Sequence, residues 1–138
     1  MKTLIAHVVA AALLSFGLAA GAAECVYPHA PDTMPDGATS TKDVMLAAKK
    51  DYDKYNADMG VYLDCIKSDH EATAPKIDSS MSAEKKKAVQ KQIDDGEQRF
   101  VAKYDSAVDE VHAIMERFNE QIRAFNAKIK AEKEKSAH

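Results

Sequence analysis

Glycine is scarce in this chain and nowhere clustered: five residues, at positions 17, 21, 37, 60 and 96. That spacing leaves no glycine-rich loop to cradle a phosphate, and no serine sits in a Gly-x-Ser-x-Gly nucleophile elbow. Cysteine is scarcer still. Cys25 and Cys65 are the only two, and their separation is not Cys-x-x-Cys, so neither a thioredoxin-like redox site nor c-type haem attachment has its motif. Beyond His7 in the first residues, the histidines His29, His70, His112 and His138 are scattered and form no His-x3-His or Glu-x-x-His pair. In Asp69-His70-Glu71 and Glu110-Val-His112 the ligand types are one or two residues apart, which on a helix points them to different faces. The repeated Glu-x-x-His of di-iron bundles is missing. The expectation is a non-enzymatic protein with no catalytic, cofactor-binding or metal-ligating set.

An excess of positive charge is also lacking. Lysine and arginine number 19 against 22 aspartates and glutamates, which argues against a general nucleic-acid binder. The basic end, with Arg123, Lys128, Lys130, Lys133 and Lys135 against Glu132 and Glu134, reads as a solvated helix terminus. The one long apolar run, residues 4–18, falls short of the roughly 20 residues that span a bilayer as a helix. Lys2 precedes it and the small residues 19–23 follow, the order of a cleavable signal peptide. Cleavage after Ala22 or Ala23 leaves an exported domain, periplasmic or secreted, with no membrane span. Glu24 before Cys25 does not suit lipid attachment, which needs small residues there.

In an oxidising compartment two cysteines pair, because nothing keeps them reduced. A Cys25–Cys65 disulfide closes a loop of 40 residues, worth about 4 kcal/mol in the loop-entropy account. For a chain this small that is a large share of the total stability.

What the sequence does contain is helical pattern. Residues 24–40 hold Pro28, Pro31 and Pro35, which remove backbone donors and keep their neighbours extended. Pro35-Asp36-Gly37 reads as a turn, with a positive φ expected at the glycine. Ser40 is the expected cap of a first helix over about residues 41–73, ended by Pro75. Its apolar residues Met45, Ala48, Tyr52, Tyr55, Met59, Tyr62 and Ile66 recur in steps of three and four. After a polar link, Ser82 caps a second helix over about residues 83–134. Its stripe runs Val89, Ile93, Phe100, Tyr104, Val108, Val111, Met115, Phe118, Ile122, Phe125 and Ile129.

Two such helices joined by a short link pack antiparallel. The predicted fold is therefore all-α, a helical hairpin with coiled-coil-like contacts spanning residues 41–135. The arm over residues 24–40 is pinned back along the first helix by the disulfide, with Val26, Tyr27 and Met34 placed to cover the seam. Asp94-Asp95-Gly96 leaves a second outcome open, because glycine in a helix costs about 1 kcal/mol relative to alanine. A break there would give a three-helix bundle.

The blocks Cys25-Val-Tyr-Pro, Pro35-Asp-Gly, Met45-Leu-Ala-Ala, Tyr62-Leu-Asp-Cys65 and Arg117-Phe-Asn-Glu-Gln-Ile-Arg-Ala-Phe125 resemble a family of small uncharacterised secreted proteins of Gram-negative bacteria. The resemblance implies a periplasmic setting and the cysteine pair, and transfers no catalytic residue.

Phe118, Ile122, Phe125 and Ile129 lie, by length, past the expected reach of the first helix. That excess points to an interaction seam of Tyr52, Tyr55, Met59, Tyr62, Met115, Phe118, Ile122 and Phe125, and to a homo-oligomer or an envelope protein as the partner. The competing reading makes the tyrosine and methionine side chains the lining of a small-ligand or metal carrier.

Overall fold

The computed structural model describes residues 24–137. The signal peptide expected over residues 1–23 and the terminal His138 lie outside the described residues. Two helices make up the domain: α1, Lys42–Thr73, and α2, Ala83–Ser136. Among the described residues there is no strand.

The first helix starts one residue later than its sequence suggests. Thr41, extended at φ −79° and ψ 165°, is the cap, its hydroxyl accepting from the Val44 N–H. Ser40 is held instead through its backbone. Its N–H donates to the Asp36 carbonyl at 2.9 Å, and its own carbonyl accepts from Lys128 Nζ at 2.9 Å. The tight turn keeps Ser40, so the first residue free to adopt the extended cap conformation is Thr41. Pro75 ends α1 as expected: Ala74 has left the helical region, at ψ 123°. Ser82 caps α2 by accepting from the Lys85 N–H at 3.3 Å.

Helix α2 runs through Gly96 without a break, so the molecule is a hairpin and not a three-helix bundle. The glycine's cost is offset by what surrounds it. Gln90 bonds Asp94 and Lys91 bonds Asp95, each four residues on. Just beyond, His70 donates from Nε2 to Glu97 at 2.9 Å and stacks on Phe100 with ring centroids 4.5 Å apart.

The helices are in strict antiparallel register. His70 stacks on Phe100 and Tyr52 on Phe118, so a step back along α1 is matched residue for residue by a step forward along α2. With about 48 Å of α1 against about 81 Å of α2, the longer helix overhangs at both ends. The overhang does not strand the aromatic end of the stripe. Met45 and Leu46 border one shallow recess with Phe118, Ile122 and Phe125, and Met45 and Phe118 are buried.

The interior is Tyr55, Met59, Tyr62, Ile66, Ala107 and Ile114, with Tyr52, Leu63, Phe100, Tyr104 and Val111 packed against it. Ala107 is fully buried and Met59 is 1% exposed. A small side chain opposite large ones lets the helices approach closely at the middle of the seam.

The proline arm is a strap. Cys25 and Cys65 are joined, with Cα atoms 5.7 Å apart, and the Tyr27 ring meets the Tyr62 ring edge-on at 4.8 Å. Ala30 and Met34 pack on the core. Val26, expected to help, is 78% exposed and points to solvent, because the bonded cysteine beside it fixes which way the chain faces. At the far end the Gly37 N–H donates to Gln121 Oε1 at 2.9 Å. No glycine among the described residues has a positive φ, so the conformational reason expected for Gly37 is replaced by a steric one. A Cβ there would stand 1.9 Å from the Gln121 carbonyl oxygen.

Candidate functional site

A pair of helices has two grooves, one on each side of the plane containing both axes. Each residue turns a helix by about 100°, so the residues flanking the seam divide between these two sides. Asp58, Val61, Tyr62 and Cys65 border the first residues of the strap, and α2 meets the strap with Glu110 and Gln121. The other side is open. There Asn56, Met59, Gly60 and Leu63 of α1 and Val108, Val111 and His112 of α2 line a groove of about 310 Å³.

The strapped groove is locked by one carboxylate. Tyr27 donates to Glu110 Oε2 and Tyr55 to Glu110 Oε1, both at 2.8 Å. The strap, α1 and α2 thus meet at a single side chain. Burial of the hydroxyl end, then the bond to Glu110 and the negative charge behind it, push the Tyr27 phenol up to about 12. The same causes in the same order raise Tyr55 further. Both phenols are protonated donors across the neutral range, and both oxygens of Glu110 are taken. The cluster fastens the strap and presents no nucleophile or free base.

The residues expected to form the interaction seam divide sharply. Tyr55, Met59, Tyr62 and Phe118 are spent inside the molecule, at most 5% exposed. Tyr52, Ile122 and Phe125 are half-buried at the helix contact. Met115 is 39% exposed and lies about 20° from Val108 in angle, on the flank of the open groove. Besides Phe118, the buried positions of α2 are Ala107 and Ile114, each one residue before the expected Val108 and Met115. From Tyr104 the steps 104, 107, 111, 114, 118 fit the three-four rule as well as 104, 108, 111, 115, 118. Side-chain size favoured the second series, and the close helix contact selected the first. Glu110 carried no sequence signal, since its partners are 83 and 55 residues away.

Elsewhere the surface offers little chemistry. A recess of about 590 Å³ beside Cys25 is lined by Glu24, Asp69, His70, Arg99 and Lys103 among others, charges of both signs that offset one another. Among the described residues, no three histidine, cysteine or acidic side chains are grouped to hold a metal ion, and no helix is long and apolar enough to cross a membrane. No family model, curated protein or solved structure matches the chain.

Proposed function

We propose that this is an exported, non-enzymatic helical protein of the periplasm or extracellular space that works by protein–protein contact, as an adaptor, chaperone-like binder or structural envelope protein. Its contact surface is the groove opposite the strap. One observation carries the reading: the strap closes only one of the two grooves, and the other keeps Leu63, Val108 and Val111 along its floor with Met115 on its flank. Export is supported by the Cys25–Cys65 bond, which belongs in an oxidising compartment, and by the order of charged, apolar and small residues over 1–23. The resemblance to secreted two-cysteine proteins points the same way. No observation favours a carrier built on the tyrosine and methionine side chains, because Tyr55, Met59 and Tyr62 fill the interior.

Light scattering and an environment-sensitive apolar dye, applied to the same sample of exported protein, test this. The open groove is expected either to be covered by self-association or to take the dye. Val108→Glu with Met115→Glu is expected to abolish whichever is seen at unchanged helicity. A compact monomer that takes no dye overturns the proposal.

A further inference from the structure

The occupant of the open groove can be argued from α1 itself, and the argument rests on the interaction reading above. Gly60 lies in the middle of a 32-residue helix, where glycine costs about 1 kcal/mol relative to alanine. Nothing in the monomer requires it: a Cβ at Gly60 would meet no atom within 4 Å. This differs from Gly37, which the fold demands. A glycine that weakens its helix, is exposed and lines an apolar groove suits the close approach of another backbone.

The charges around Gly60 say which backbone. Steps of 4, 7 and 11 residues return to nearly the same face of a helix. On that stripe the sequence reads Lys49, Asp53, Asn56, Gly60, Asp64, Lys67 and Glu71, and all seven are exposed. The arrangement is complementary to its own reversal. If two α1 helices cross antiparallel at Gly60, Lys49 faces Glu71 of the second copy, Asp53 faces Lys67, and Asn56 faces Asp64. No like charges meet on the stripe. The Lys49–Asp53 ion pair, 2.6 Å long and exposed, then lies against an oppositely ordered Lys67 and Glu71, which have no ion pair of their own among the described residues.

We propose that the protein is a two-fold symmetric homodimer whose axis passes beside Gly60, with the two open grooves facing each other. Such an interface is isologous, so every charge pair occurs twice. The four helices enclose Leu63, Val108, Val111 and Met115 of both copies, and both straps stay on the outside. The size is adequate. From Lys49 to Glu71 the helix rises about 33 Å, and two helices side by side are about 20 Å wide. The face is therefore on the order of 700 Å² per copy, close to the roughly 800 Å² per partner of a standard interface.

Sedimentation equilibrium of the exported protein tests this with variants that the monomer fold tolerates. The Cβ of Gly60→Leu meets no atom within 4 Å in the monomer and the side chain blocks the crossing, so the variant is expected to give a stable, fully helical monomer. Asp53→Lys sets like charges against Lys67 of the other copy and is expected to weaken association by about tenfold or more. Asp53→Lys with Lys67→Asp restores the opposite-sign contact and is expected to recover most of that loss. A monomer at all concentrations overturns the dimer, and so does a dimer indifferent to Gly60→Leu. A monomer whose groove takes apolar dye would leave the interaction reading standing without the dimer, whereas a monomer that takes none would end both.

Discussion

At the scale of single residues, the side chain that matters most to the architecture is Glu110, an acid on α2 that accepts from Tyr27 of the strap and Tyr55 of α1. The consequence is a pH dependence of definite sign. A phenol whose folded value is raised from 10.0 to about 12 adds stability that is fully present below pH 10. That contribution is lost as pH climbs from 10 towards 12, because the unfolded chain releases the proton first. Tyr55 shifts in the same direction and prolongs the loss. We expect thermal unfolding to show stability falling over this alkaline window, and tyrosinate absorbance to show both phenols ionising late. Glu110→Gln removes the negative charge, brings both ionisations down and flattens the decline. Tyr55→Phe is expected to cost about 2 kcal/mol at neutral pH, the worth of a hydrogen bond to a charged acceptor.

At the scale of the elements, two glycines illustrate opposite physics. Gly37 is buried where the turn after the strap touches α2, and a methyl group there collides with the Gln121 backbone. Gly37→Ala must push the turn away from α2 and is expected to destabilise by about 1–3 kcal/mol, in the range of overpacked sites. Gly96 sits in a continuous helix where a Cβ would meet nothing within 4 Å. Gly96→Ala is therefore expected to stabilise by up to about 1 kcal/mol through helix propensity alone. Chemical denaturation of the two variants checks both signs in one experiment. If both destabilise, the uninterrupted α2 is wrong.

For the whole molecule, the disulfide decides how much of the stability belongs to the strap. A two-helix hairpin of this size has a thin interior, and the strap supplies a third side through Cys25, Ala30 and Met34. Cys25→Ser with Cys65→Ser removes a cross-link over 40 residues, worth up to about 4 kcal/mol. The strap keeps its anchors at Glu110 and Gln121, so it is expected to loosen from its cysteine end. Limited proteolysis should then cut within residues 25–34 faster than in the bonded protein, while far-ultraviolet circular dichroism retains the helical signal. Equal cleavage rates would show that the disulfide is not what holds the strap.

The sequence by itself determined the helical segments and their all-α packing, because caps, the proline stop and the periodicity are local signals, and the pairing of Cys25 with Cys65 followed from there being only two cysteines. Ser82 could cap α2 from its own side chain, Pro75 could stop α1 by sterics alone, and the spacing of Met45 through Ile66 identified the buried stripe of one helix from one helix. Four matters lay beyond local signals. The choice of Ala107 and Ile114 over Val108 and Met115 was made by how closely two helices approach, a distance that neither helix contains. The requirement for Gly37 came from the backbone carbonyl of Gln121, 84 residues away, and Glu110 acquired its role from two tyrosines that only the folded chain brings together. The continuity of α2 through Gly96 was settled by tertiary packing as well, since the His70 contacts at Glu97 and Phe100 hold the helix just past its weakest residue. The seam read from the sequence as one surface became two in the fold. Strap and disulfide sealed one groove, and the other was left open with Gly60 at its centre.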